Sequence, residues 1–442
     1  MKRAMTTGEG DKLNLAEVVA IGIGGMVGGG IFAVLGLAIE TAGHAVAIAM
    51  GFGGIVALLT GLSYAHLGLA FRDDGGSFTY IEHAFDNTVV AGIAGWLLVA
   101  GYVGTLALYS TTFGAYGAAT LSGNGGAVWL APTLAVAVVA AFLGINLFGA
   151  RTSGQVELII VGAKLAILVL FAVVGLTTVR ADHMLPVFNQ GYAAPVVAAG
   201  LIFVAYEGFE LIPNAVEEMR NPEVNLRRGL ILAIIITTAI YIGVSLVALG
   251  NLTPEQVAKD QEYVLAVAAR PTLGEAGFVL IGIAALMSTA SAINATLFGS
   301  ARLAMVMAAE HALPRVFSLR ERTRDVPWVA LVVLSMLTAG FLLLADLTVI
   351  SSFASAVFLT IFLAVNVSAF RLRAQIALHP AVPLAGALFS GAALVILLGY
   401  TWAHDRVSLA WIGGFLATAV LLELAVIATR GRRPHKTVAR LS

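Results

Sequence analysis

Twelve runs of predominantly apolar residues occupy most of this chain of 442 residues, and they leave few folds open to it. The runs fall near 15–40, 44–71, 88–121, 126–149, 156–179, 193–215, 230–250, 273–308, 326–344, 348–370, 382–402 and 409–429. About 20 apolar residues span a bilayer as a helix, which satisfies every backbone group inside itself. The expected fold is therefore an all-α integral membrane bundle of about twelve transmembrane helices. The third and eighth runs exceed one crossing and should tilt or protrude. Charged residues make up 11% of the chain, against roughly 25% in a soluble domain. Soluble enzymes, nucleic-acid binders and disordered regulators are excluded on that ground. The formal charge is zero, so no polyanionic partner is implied. Cysteine is absent, which removes disulfide scaffolds, thiolate metal sites and cysteine nucleophiles.

Lys and Arg set the orientation. With the N-terminus in the cytoplasm, 20 of the 25 Lys and Arg residues fall in cytoplasmic segments and four in outer loops; Lys164 lies within a run. A missed span would mix the two sets. Both termini are thus expected in the cytoplasm of a multi-pass protein of the plasma (inner) membrane. The polar start and the length of the first run argue against a cleaved signal. Residues 1–14 and the basic tail 430–442 are read as cytoplasmic. The connection 72–87 should hold a short interfacial helix after Gly75-Gly76. The outer connection 251–272 carries a helix start at Thr253-Pro254-Glu255. Glu40, Asp346 and Glu423 lie at span ends or in the last helix and read as interfacial.

Two runs are unsuited to continuous helix. The first contains Ile21-Gly22-Ile23-Gly24-Gly25-Met26-Val27-Gly28-Gly29-Gly30. Each glycine costs a helix interior about 1 kcal/mol against alanine. A small-residue packing face is the alternative, yet packing asks for glycine on one side only. The sixth run contains Phe203-Val204-Ala205-Tyr206-Glu207-Gly208-Phe209-Glu210 with Pro213 beyond. Each mid-membrane carboxylate costs at least ~2.5 kcal/mol, which asks for a polar cavity, a partner or a proton. A purely structural paired carboxylate is the competing account. Runs one and six are five apart and so opposite in direction. Matching broken helices in two inverted halves are a common secondary-transporter layout, with substrate at the midplane. Free helix N-termini suit an anion and free C-termini a cation. One pocket offering both suits a zwitterion, an α-amino acid.

The glycine stretch GIGGMVGGGIF, the segment FVAYEGFELIPNAVEEMRNPEVNLRRGL, GGSFTYIEHAFD after the second run and SASAINATLFGSARLAMVMAAEHALP in the eighth resemble, in order, signatures of the amino acid–polyamine–organocation superfamily. The similarity covers nearly the whole chain and is nearest to proton-coupled amino acid transporters of archaea and bacteria, with cationic amino acid carriers close by. The resemblance implies a 5+5 inverted repeat of the leucine-transporter type, with helices 1–5 in 15–192, helices 6–10 in 193–370 and two further helices in 371–429. It implies substrate binding by Val27, Gly28, Gly29, Gly30, Tyr102, Phe203, Val204, Tyr206, Glu207 and Gly208. The carboxylate would meet the backbone of Gly28–Gly30, and the amine the carbonyls of Val27, Val204 and Glu207. Glu210 falls where a related antiporter carries a proton-sensing glutamate. Glu207 departs from the family, which is commonly apolar there, and would favour a basic side chain.

Lys164 occupies a point of the fifth run where proton-coupled relatives carry a lysine and sodium-coupled ones hold an ion. Twelve residues beyond Thr152 it lies ~18 Å deep at 1.5 Å per residue, too deep for easy snorkelling. Coupling is assigned to Lys164 and Glu210, with Ile23 and Gly24 carbonyls and Ser288 and Ser291 hydroxyls nearby. An ion pair of Lys164 with Glu157 or a sixth-run glutamate is the structural alternative. Thr289, Ser288 and Ser291 could equally bond back to their own helix. The chain thus reads as a secondary active transporter, a proton–amino acid symporter working by alternating access. An exchanger of cationic amino acids or polyamines stays open, and a channel or membrane receptor is the reading from another class. No enzymatic constellation is present in the sequence. No cofactor beyond the coupling proton, no metal and no obligate protein partner are expected. The partners are the substrate amino acid and the bilayer.

Overall fold

The computed structural model describes residues 12–72, 75–85, 87–122, 128–149, 154–309, 312–321 and 326–430. Its helices are α1 (Leu15–Met26), α2 (Gly30–Ala42), α3 (Val46–Ala70), α4 (Gly76–Phe85), α5 (Thr88–Ser122), α6 (Leu130–Leu147), α7 (Gly154–Gly175), α8 (Ala194–Leu201), α9 (Pro222–Asn251), α10 (Pro254–Lys259), α11 (Val264–Ala309), α12 (Trp328–Leu344), α13 (Leu347–Arg371), α14 (Ala381–His404) and α15 (Arg406–Arg430). Tight 3-10 turns fill Phe203–Tyr206 and Phe209–Glu218. Extended pairing among the described residues is limited to a bridge between Leu13 and Met219.

Nine of these helices are long and apolar enough to cross a membrane, or ten when the bent pair Ala194–Leu201 and Phe203–Glu218 counts as one span. The remaining two expected crossings are the broken pair α1–α2, with halves of 12 and 13 residues, and α12 with 17. Each of the twelve apolar runs therefore coincides with a helix or a broken pair. The starts are locally encoded. Asn14 and Glu17 form a capping box at α1, and Thr253 with Gln256 another at α10, each satisfying orphan N–H groups of a first turn.

Two boundaries differ from the sequence reading. The outer connection is helical from Val264, because Pro271 is absorbed and the chain bends instead at Gly274, whose φ is 62°. Helix α9 begins at Pro222, well before its apolar run, with proline at the first helical position and a polar turn projecting beyond the core. Glu423 is fully buried on the inner face of α15, in the space left by Gly92 of α5. The N-terminal residues 1–11, the tail 431–442 and the Glu157 side chain lie outside the described residues.

Candidate functional site

Both interrupted segments break their helices where the sequence argues they should. Helix α1 stops at Met26, and Gly28 N–H donates to Gly25 O at 3.1 Å instead of continuing the helical ladder. Helix α2 restarts at Gly30, with Gly29 at its N-cap offering no side-chain oxygen to the first turn. In the other element α8 ends at Leu201, Glu207 is extended (φ −64°, ψ 142°), and Gly208 takes φ 123°. The two halves are bent by 61°. The breaks touch backbone to backbone. A Cβ on Gly208 would lie 2.6 Å from Met26 N, and one on Gly25 would lie 2.9 Å from Gly208 O. Gly208 also holds a backbone conformation that L side chains resist. A Cβ on Gly30 would come within 2.6 Å of Ala205 Cα.

Breaking a helix inside hydrocarbon frees carbonyls that must find donors. Neighbouring helices supply them. Lys164 Nζ, on α7, donates to Gly24 O at 3.0 Å. Ser288 Oγ, on α11, donates to Val27 O. The Tyr241 hydroxyl of α9 faces Met26 O at 2.7 Å and Ala205 O at 2.9 Å, one from each break. Ser351 and Ser355 of α13 donate to Leu201 O, both at 2.9 Å, and Ser355 accepts from Val204 N–H at 3.0 Å. Below the breaks, Leu13 N–H donates to Glu218 O and Arg220 N–H to Leu13 O, which fastens α1 to the end of the 209–218 segment.

Glu207 and Glu210 are 3% and 4% exposed. Their carboxyl groups neighbour each other. Tyr109 of α5 donates its hydroxyl to Glu207 Oε2 at 3.3 Å, and Gly208 N–H donates to Glu210 Oε2 at 2.8 Å. A cavity of about 460 Å³ reaches from Tyr102 and Glu210 to Asn214, Glu218 and Arg302 at the surface. At the opposite end of α2 a second cavity of about 450 Å³ lies beside Glu40, His44 and Asp182, and contacts flank it. Gly36 packs on the backbone of Gln261, the Gln261 amide donates to Glu40, and the Tyr116 hydroxyl donates to Phe32 O at 3.3 Å.

Several residues named from the sequence gather here: Gly24 to Gly30, Lys164, Ser288, Glu207, Gly208 and Glu210. Others sit to one side. Tyr206 turns onto Gly53 of α3 and donates to Met50 O at 2.6 Å. Phe203 packs edge-on against Phe362 of α13. Ile23 O accepts the Val27 N–H within the last turn of α1, Thr289 bonds back to Ala285 O, and Ser291 is half-buried. Tyr109, Tyr241, Ser355 and Thr105 were not singled out from the sequence. Their signal is a hydroxyl on an otherwise apolar helix, which reads as packing.

The sequence profile of the amino acid permeases matches residues 13–425. An uncharacterized protein of Methanocaldococcus jannaschii is 33% identical over 89% of this chain and 90% of its own. The inner membrane transport protein YbaT of Escherichia coli is 33% identical over 94% and 96%. The branched-chain amino acid permease BcaP of Bacillus subtilis is 28% identical over 74% of each chain. Broken helices packed on each other, buried carboxylates and a match along nearly the whole bundle agree, and the chain belongs to the amino acid permease family of multi-pass membrane transporters.

Proposed function

We propose that this protein carries amino acids into the cell by proton-coupled symport, alternating access across the plasma membrane. The two breaks lie five spans apart, so 15–192 and 193–370 form inverted repeats meeting at the midplane. The Lys and Arg bias puts both termini and the cavity rim at Arg302 on the cytoplasmic side. The amino acid's carboxylate goes to the uncapped start of α2 and its amine to the carbonyl-rich ends of the breaks. The names carried by relatives, one a branched-chain amino acid permease, support an amino acid cargo.

One observation carries the coupling: Lys164, 1% exposed, places its Nζ 3.0 Å from the Gly24 carbonyl freed by the first break. A cation at that point holds α1 against α7 and satisfies an acceptor that would otherwise be costly in hydrocarbon. Entry of water when the outer side opens lets the amine gain a proton, and opening toward the cytoplasm lets it leave. No metal ion or further cofactor takes part. Binding of the proton therefore favours the geometry in which the glycine break is assembled.

The test is uptake in proteoliposomes against external pH. Wild-type protein should concentrate substrate under an imposed inward proton gradient. Lys164→Ala should lose accumulation and flatten the pH profile while retaining counterflow of bound substrate. Gradient-driven accumulation by the alanine variant would reduce Lys164 to a structural role and move the proton to Glu210. Uptake that requires internal amino acid and ignores the gradient would replace symport by exchange.

A further inference from the structure

The second break holds two carboxyl groups that contact each other, Glu207 and Glu210. Glu210 Oε1 and the Thr105 hydroxyl of α5 are buried without a hydrogen bond of ordinary geometry. Thr105 faces the Glu207 carboxyl without closing a hydrogen bond of ordinary geometry. Tyr109 reaches the same group only at 3.3 Å, long for an O–H···O bond. Among the described residues, the charged group facing Glu207 is the like-charged Glu210. Lys164 donates to Gly24 O of the first break. Two adjacent buried carboxyl groups are unfavourable unless something supplies a proton, a cation or several N–H donors. Glu210 lines the cavity that reaches the surface, which brings a ligand as far as that carboxyl, with Glu207 adjacent behind it.

We infer that Glu207 and Glu210, with the Thr105 and Tyr109 hydroxyls, form a subsite for the cationic side chain of a basic amino acid. A guanidinium or ammonium brings donors and no acceptor, which is what the carboxyl oxygens lack. Charge-assisted bonds to carboxylates are the strong ones in a dry site. Thr105 can turn its proton to the Glu207 carboxyl and hold it in place, making it a positioning residue. Tyr109 spans from Glu207 to the Gly28–Gly29 break, where its ring lies against Gly29. The charged end of the substrate is thereby tied to the end that meets α2. A branched aliphatic side chain offers nothing to these oxygens. The inference rests on the transport reading above and adds the side chain to it.

Purified full-length protein can be tested for binding of L-arginine against L-citrulline, which keeps the shape and removes the charge, and of L-lysine against L-norleucine. Wild-type protein should prefer each basic member by about tenfold or more. Glu207→Gln should bring the arginine-to-citrulline ratio near unity, and Thr105→Val should lower it by several-fold. Glu207→Asp should retain the direction of preference. Should Glu207→Gln not give monodisperse protein, Thr105→Val and the wild-type ratios decide. Equal binding of charged and neutral partners by wild-type protein overturns the subsite, and so does an unchanged ratio in well-folded Glu207→Gln. Uptake of neutral amino acids alone would sink the subsite and leave the transporter standing. Failure of every amino acid to bind or move would remove both.

Discussion

Tyr109 lies where the sequence leaves room for substrate. A Cβ placed on Gly29 would fall against its ring, and one on Gly28 would meet Ala292 at 2.8 Å. A leucine at 29 therefore collides with protein before it can obstruct a ligand, and loss of binding in Gly29→Leu would not separate the two causes. A double-mutant cycle does. Gly29→Ala in the native background should destabilise the protein by more than it does beside Tyr109→Ala, with a coupling of about 0.5–3 kcal/mol, read from thermal unfolding in detergent. Additive effects would mean the two residues do not press on each other. Glycine clusters, mid-span carboxylates and a deep lysine were legible because each is costly in a membrane helix. Tyr109 and Tyr241 were not. Their partners lie 98 and 215 residues away, and an aromatic residue in an apolar run looks the same whether its hydroxyl is employed or idle.

At the scale of the helix, polar residues fasten α3 to α13. Ser63 donates to Asn366 Oδ1 at 2.7 Å, and Asn366 Nδ2 donates to Thr60 Oγ1 at 2.9 Å and to Phe362 O at 2.9 Å. Gly386 of α14 leaves the space that the amide fills. Asn366→Ala should strand both hydroxyls and cost about 1–3 kcal/mol, seen as an earlier melting transition. An unchanged transition would show that apolar packing alone holds the pair. Helix positions were readable from hydropathy, and α4 and α10 from their glycine, proline and threonine starts. The bend in α11 escaped because Pro271 and Gly274 sit close together. The proline argued for a loop up to 272, whereas the helix keeps the proline and turns at the glycine. The inward face of α15 escaped because hydropathy does not say which neighbour a lone glutamate meets.

Across the whole molecule, one cavity of about 460 Å³ reaches the surface beside Arg302, and another of about 450 Å³ lies at the other end of α2 beside Glu40 and His44. The chain has no cysteine, and a single cysteine at Gly299, which is exposed, lines the cavity beside Arg302 and has open space for a side chain, reports accessibility there. Gly299→Cys should react with a membrane-impermeant thiol reagent in inside-out vesicles and resist it in right-side-out ones, with substrate slowing the reaction. Labelling only from the opposite face would reverse the orientation taken from Lys and Arg. The chain's two broken elements also share a contact from which nothing further can be removed. Where two ordinary side chains collide, a lineage can repair the damage by shrinking the neighbour. Gly25 and Gly208 are both already at the smallest size an amino acid allows. A selection for revertants of a bulkier residue at either position should return the original glycine, and second-site suppressors should not map to its counterpart.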